Sequence, residues 1–113
     1  MKEIKAYVHA SRIADVIAGL KGSTVWGDPD HDEHNLAVYV VKGSLVPLDD
    51  SERHYSLELG EAIINEYKVE LHCHDEDVPA LVDVIRRTAR TGSAVAGWIY
   101  VMDIASEIGR AHV

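Results

Sequence analysis

The 113-residue sequence predicts an α+β domain in which an antiparallel sheet carries two helices on one face, and three observations lead there. Several segments alternate apolar and polar residues with the two-residue period of a half-buried strand. Two others repeat apolar residues with the period of a helix. A shift of 65 residues overlays the later patterns on the earlier ones, placing Tyr7, Val8 and His9 on His72, Cys73 and His74, so the chain reads as two similar β-α-β halves.

In order, KEIKAYVH (2–9) sets Ile4, Ala6 and Val8 against Lys5, Tyr7 and His9. A helix follows, with Ser11 as its expected N-cap, a stripe of Ile13, Val16, Ile17 and Leu20, and Gly22 as its stop. LAVYVVKG (36–43) and YKVELHC (67–73) are rich in β-branched and aromatic residues and read as strands. Asp75 or Asp77 is expected to cap a second helix carrying Val78, Leu81, Val82 and Ile85, with Pro79 in the first turn, where a missing N–H costs nothing. Gly92 is expected to close this helix in the left-handed region, and GWIYVM (97–102) forms the last strand.

The order βαββαβ is the split β-α-β, or ferredoxin-like, arrangement, here one domain over residues 1–113. The sheet face away from the helices is expected to carry Tyr7, Tyr39, Glu70, His72 and Tyr100. That mixture is too aromatic for solvent and too polar for a core, which favours burial against other copies of the chain over a merely scattered set of surface tyrosines.

Composition bounds the function. A chain of this length buries roughly two thirds of its unfolded surface in one core. Hydrophobic residues at 47% and charged residues at 27% describe an ordinary globular protein, with no apolar run long enough to span a bilayer and no basic apolar leader, so the expected location is the cytoplasm. The lone Cys73 has no partner for an internal disulfide. A net charge of -8 argues against sequence-independent nucleic-acid binding, which depends on Lys and Arg facing phosphates.

Three stretches stand out from the regular pattern. Residues 44–62, SLVPLDDSERHYSLELGEA, are long for a hairpin connection, and such loops are usually functional or mobile. WGDPDHDEHN (26–35) is a short acidic, histidine-bearing insertion. RTARTGSAVAGWIYV (87–101) holds small residues between Gly92 and Gly97. Small residues in a tight turn allow backbone N–H groups to form an anion-binding nest, and Arg86, Arg87 and Arg90 would offset the negative end of the helix dipole. An ordinary helix-to-strand connection is the blander reading, and the pattern alone favours it.

Metal and catalysis have weaker support. Asp28, Asp30, His31, Asp32, Glu33 and His34 offer oxygen and nitrogen at short spacing, but without the regular spacing or central glycine of a calcium loop, and a solvated turn is the simpler account. His72 and His74 share a strand face from which Cys73 points away, so the three do not close on one ion. No nucleophile elbow, Walker loop or kinase signature occurs, and the chain is not expected to be an enzyme.

The element order, the long loop after Val41 to Gly43, and TGSAVAGWIYV at Thr91 to Val101 together resemble the PII signal-transduction proteins and their PII-like relatives over nearly the whole chain. The resemblance implies a homotrimer with its sheets turned inward, adenine nucleotides in clefts between subunits, and a T-loop, here about 44–62, that changes shape with the ligand and contacts a partner, often a membrane transporter. It implies nucleotide contacts from Lys42, Gly43, Thr91, Gly92, the backbone of Ser93, Ala94, Val95 and Ala96, then Gly97, Trp98 and Arg110 in the tail. Asp49, Asp50, Arg53 and Tyr55 would face the partner. No insertion into the membrane is expected.

The chain also departs from the family pattern. Typical members read G-D-G-K where this chain has Val95, Ala96, Gly97 and Trp98, so an acid and a phosphate-contacting Lys are missing. Val46 and Pro47 stand near the usual Arg-Gln pair, which removes the expected response to 2-oxoglutarate, and of two tail arginines only Arg110 remains. Each lost cation removes a charge-assisted contact and favours shorter phosphate chains. YSLELGEAIINE (55–66) and GWIYVMDI (97–104) look most like the carboxysome-associated branch, which implies AMP or ADP as ligand, with ATP less favoured, bicarbonate as a further ligand, and a link to inorganic-carbon uptake. The alternative within the superfamily is a metal-binding regulator linked to heavy-metal efflux.

Overall fold

The alternating segments form strands β1 (Lys2–Val8), β2 (Ala37–Gly43), β3 (His54–Ser56), β4 (Glu61–Cys73) and β5 (Trp98–Asp103), and the helical stripes form α1 (Ile13–Lys21) and α2 (Val78–Thr88). The structure, a computed structural model, describes residues 1–26, 36–45, 50–92 and 97–108. The main sheet runs β2-β4-β1-β5 with every neighbouring pair antiparallel, and β3 pairs with the start of β4 off that path. The first strand of each half therefore sits in the middle of the sheet and the second at an edge, as the split β-α-β arrangement requires.

Strand register explains why the core lies on one face. Ile4 stands opposite Leu71 and Ala6 opposite Val69, all fully buried. Val16 and Leu20 of α1 and Leu81, Val84 and Ile85 of α2 join them in one cluster, so both helices cover the same side. Each such side chain contributes roughly 1.5–3 kcal/mol by leaving water. The helices approach closely because Gly19 has no side chain: a Cβ there would lie 2.9 Å from Thr88 Cγ2 and 3.1 Å from Val84 Cγ1. Among the described residues no helix is long and apolar enough to cross a membrane.

Some local expectations are corrected. Strand β4 begins at Glu61 instead of residue 67, and its first residues pair with β3 inside the loop at 44–62. The alternation fails at Ile63 and Ile64, which are both buried although they are adjacent, and this hides the strand from a two-residue pattern. Ser11 does not cap α1. Arg12 takes the N-cap position without a side-chain capping bond, while the Ser11 hydroxyl lies 2.8 Å from His9 Nδ1. Arg12 instead donates from Nε to the Thr88 carbonyl at 2.9 Å, joining the start of α1 to the end of α2.

At the other helix, Asp77 is the N-cap but makes no capping bond with its side chain. Asp75 accepts from the Met1 amine at 2.8 Å, which holds its carboxyl below the usual range. Gly92 has φ +88, yet α2 ends at Thr88 with Ala89 as a right-handed C-cap. Gly92 opens the following turn and does not close the helix.

Candidate functional site

A cavity of about 480 Å³ opens where the end of α2 meets the start of β5. Ile85 and Ile99 supply its apolar lining and Arg86 and Arg90 its charge; Tyr7, Ala89, Thr91, Gly92, Gly97 and Trp98 complete the wall. Gly92 and Gly97 both have φ +88, a conformation in which an L side chain is strained. A Cβ on Gly97 would lie 3.5 Å from the Tyr7 carbonyl oxygen, an ordinary contact, so the backbone conformation and not a lack of space calls for glycine there. Trp98 stands opposite Tyr7 in the β1–β5 register and is 54% exposed.

The structure thus brings Thr91, Gly92, Gly97 and Trp98 together, and it places Lys42 and Gly43 elsewhere. Those two lie at the end of β2, opposite Asn65 and Ile64 of β4. β2 and β5 are opposite ends of the strand order, so within one chain the predicted set is divided between two sheet edges. Ser93, Ala94, Val95, Ala96 and Arg110 lie outside the described residues, as do Asp49 and the acidic, histidine-bearing group from Asp28 to His34. Asp50 begins a 3-10 turn that ends at Glu52, Arg53 is exposed, and Tyr55 is 65% exposed on β3.

Sequence reasoning missed a cluster at the loop base. His9 Nε2 bonds Glu52 Oε1, joining the segment after β1 to the 3-10 turn. The Ser11 backbone N–H donates to His9 Nδ1 at 3.1 Å, which orients the ring so that Nε2 faces Glu52. Glu66 lies nearby on β4, with Oε1 sealed from solvent and without a hydrogen-bond partner among the described residues. Burial raises its pKa, the Glu52 carboxylate adds to the rise, and His9 opposes it. Nothing in the sequence spacing joins positions 9, 52 and 66.

The outer sheet face carries Tyr7, Tyr39, Glu70, His72 and Tyr100, as expected, but a network of charges runs through it. Tyr39 donates to Glu70 Oε1 at 2.6 Å, which raises the phenol's pKa and lowers the carboxyl's. Lys5 bridges Glu3 and Glu70 at 3.1 and 3.3 Å. The Lys68 ammonium lies 5.5 Å from the Tyr7 ring centre and 5.7 Å from that of Tyr39, and Tyr7 meets Tyr100 edge to face at 6.4 Å. His72 pairs with Glu3 at 3.2 Å, whereas Cys73 is fully buried on the helix side, so these neighbours point apart. No cluster of three or more His, Cys, Asp or Glu suited to a metal occurs among the described residues.

No family model matches the chain. Among curated proteins, it is 26% identical over 108 residues to a nitrogen regulatory protein P-II of Porphyra purpurea, an alignment covering 96% of this chain and 89% of that protein. The two-helix antiparallel fold agrees with that likeness, and the match reaches across both halves of the chain and the loop between them. The chain is thus similar, at a distance and over nearly its whole length, to a PII signal-transduction protein.

Proposed function

We propose that the chain is a cytoplasmic PII-like signalling protein and not a catalyst. It acts as a homotrimer that binds an adenine nucleotide between subunits and reports it through residues 44–62 to a partner, a bicarbonate transporter or another membrane transporter. The observation that carries the reading is the cavity beside Gly92, Gly97 and Trp98, where two glycines of positive φ, a tryptophan and two arginines meet. Such a wall suits a ligand with a flat ring at one end and phosphate at the other.

The separation of Lys42 and Gly43 from that cavity supports a site completed between chains. A β2 edge from one subunit would face the turn of its neighbour, and a ligand touching both would favour one arrangement of the loop that follows Gly43. With the usual turn lysine absent, AMP and ADP are the expected ligands, ATP binds less well, and bicarbonate is a further effector. Isothermal titration with AMP, ADP and ATP, with and without bicarbonate and against zinc and copper, tests the reading. Nucleotide heat with no metal heat supports it; metal heat alone replaces it with the efflux-linked regulator.

A further inference from the structure

We infer that Arg86 and Arg90 are the cations that grip the anionic end of the cavity's ligand, in the role that a lysine of the turn would otherwise fill. The inference rests on the nucleotide reading above and adds the residues that set its ligand class. The sequence presents three arginines in this region, and the structure separates them. Arg87 is paired with Asp83 at 2.8 Å and lines a different cavity of about 420 Å³ between the helices. Arg86 and Arg90 both line the cavity beside the turn, and neither forms an ion pair with another described residue.

Charge bookkeeping makes this unusual. The chain has 19 acidic and 11 basic side chains, so guanidinium groups have an excess of carboxylates to choose from. Two that form no ion pair with a described residue, on one wall, create a local positive potential in a protein of net charge -8. They lie near the end of α2, where the helix dipole is negative and would otherwise repel an anion. Guanidinium forks match phosphate oxygens in pairs of parallel hydrogen bonds. Ile85, Ile99 and the Trp98 ring offer the other end of the ligand an apolar seat. Two cations suit one or two phosphate groups, which makes a nucleoside mono- or diphosphate the ligand class.

The test is isothermal titration of the full chain with adenosine, AMP and ADP in wild type and in Arg86→Gln, Arg90→Gln and Arg87→Gln, with circular dichroism confirming that each variant is folded. Arg86→Gln and Arg90→Gln are expected to weaken AMP and ADP by about tenfold or more each, the loss of one charge-assisted contact. Adenosine binding stays at its wild-type value in both, and Arg87→Gln binds all three as wild type does. Unchanged AMP and ADP affinity in Arg86→Gln and Arg90→Gln overturns the inference while leaving the nucleotide reading intact. An equal loss in Arg87→Gln also overturns it, by showing that net charge alone decides. Wild-type protein that takes up none of the three ligands overturns the nucleotide reading itself.

Discussion

Glu66→Gln should stabilise the protein at neutral pH and leave it unchanged in acid. In the folded chain one carboxylate oxygen of Glu66 is sealed from solvent without a partner among the described residues, and burial raises its pKa above the ordinary 4.5. A raised carboxyl pKa means that the folded state prefers the neutral form. The associated stability is fully present below pH 4.5 and is lost as pH rises through the raised value. Leaving a buried polar group unpaired costs about 1–3 kcal/mol, and more when it is charged. The side chain is only partly buried and His9 offsets some of its charge, so about 1 kcal/mol is the expected gain on substitution. In a domain of this size that is a rise in Tm of roughly 4 °C. Urea unfolding from pH 4 to pH 8 at one protein concentration measures it, since an oligomer's stability depends on concentration. A gain of equal size at both ends of the range, or a loss at pH 8, refutes the reasoning.

The remaining predictions concern the loop base, the turn and the helix contact. His9→Ala removes the tie to Glu52; it should cost about 1 kcal/mol and speed cleavage by trypsin at Arg53, read by limited proteolysis. Gly97→Ala forces a Cβ into φ +88 near the Tyr7 carbonyl and should cost about 1–2 kcal/mol in thermal unfolding while weakening nucleotide uptake. Gly19→Ala sets a helix-propensity gain of about 1 kcal/mol against a clash with Thr88, whose hydroxyl donates to Val84 and whose carbonyl accepts from Arg12. That side chain is held and the overpacking cost of about 1–3 kcal/mol should win, giving a lower Tm. Leu81→Ala, at a fully buried position, should cost about 3 kcal/mol in urea unfolding.

The regular parts of the fold were legible because one rule governed each of them. Ile4, Ala6 and Val8, like Val69, Leu71 and Cys73, alternate because one sheet face is covered by helices, and their burial follows the pattern. The pattern failed where two environments met in one strand, as at Ile63 and Ile64, and where tertiary contacts displaced local capping, as at Ser11, which turns toward His9. Gly92 was legible as a glycine needing a left-handed backbone, although it follows the helix end and does not close it. The pairing of Arg87 with Asp83 follows the i,i+4 spacing of one helix face and could have been read from the sequence once α2 was placed. The His9, Glu52 and Glu66 cluster joins three distant parts of the chain, and only the packed structure brings them together.

Strand β4 is 13 residues long, about 40 Å when extended, in a molecule whose longest dimension is 45 Å. One end forms the hairpin with β3, and the other is wedged between β1 and β2. A push on the hairpin therefore acts on a strand seated in the middle of the protein. Whatever grips the hairpin at Tyr55 or Leu57 holds a strand that continues, past Ile63 and Ile64, into the centre of the sheet.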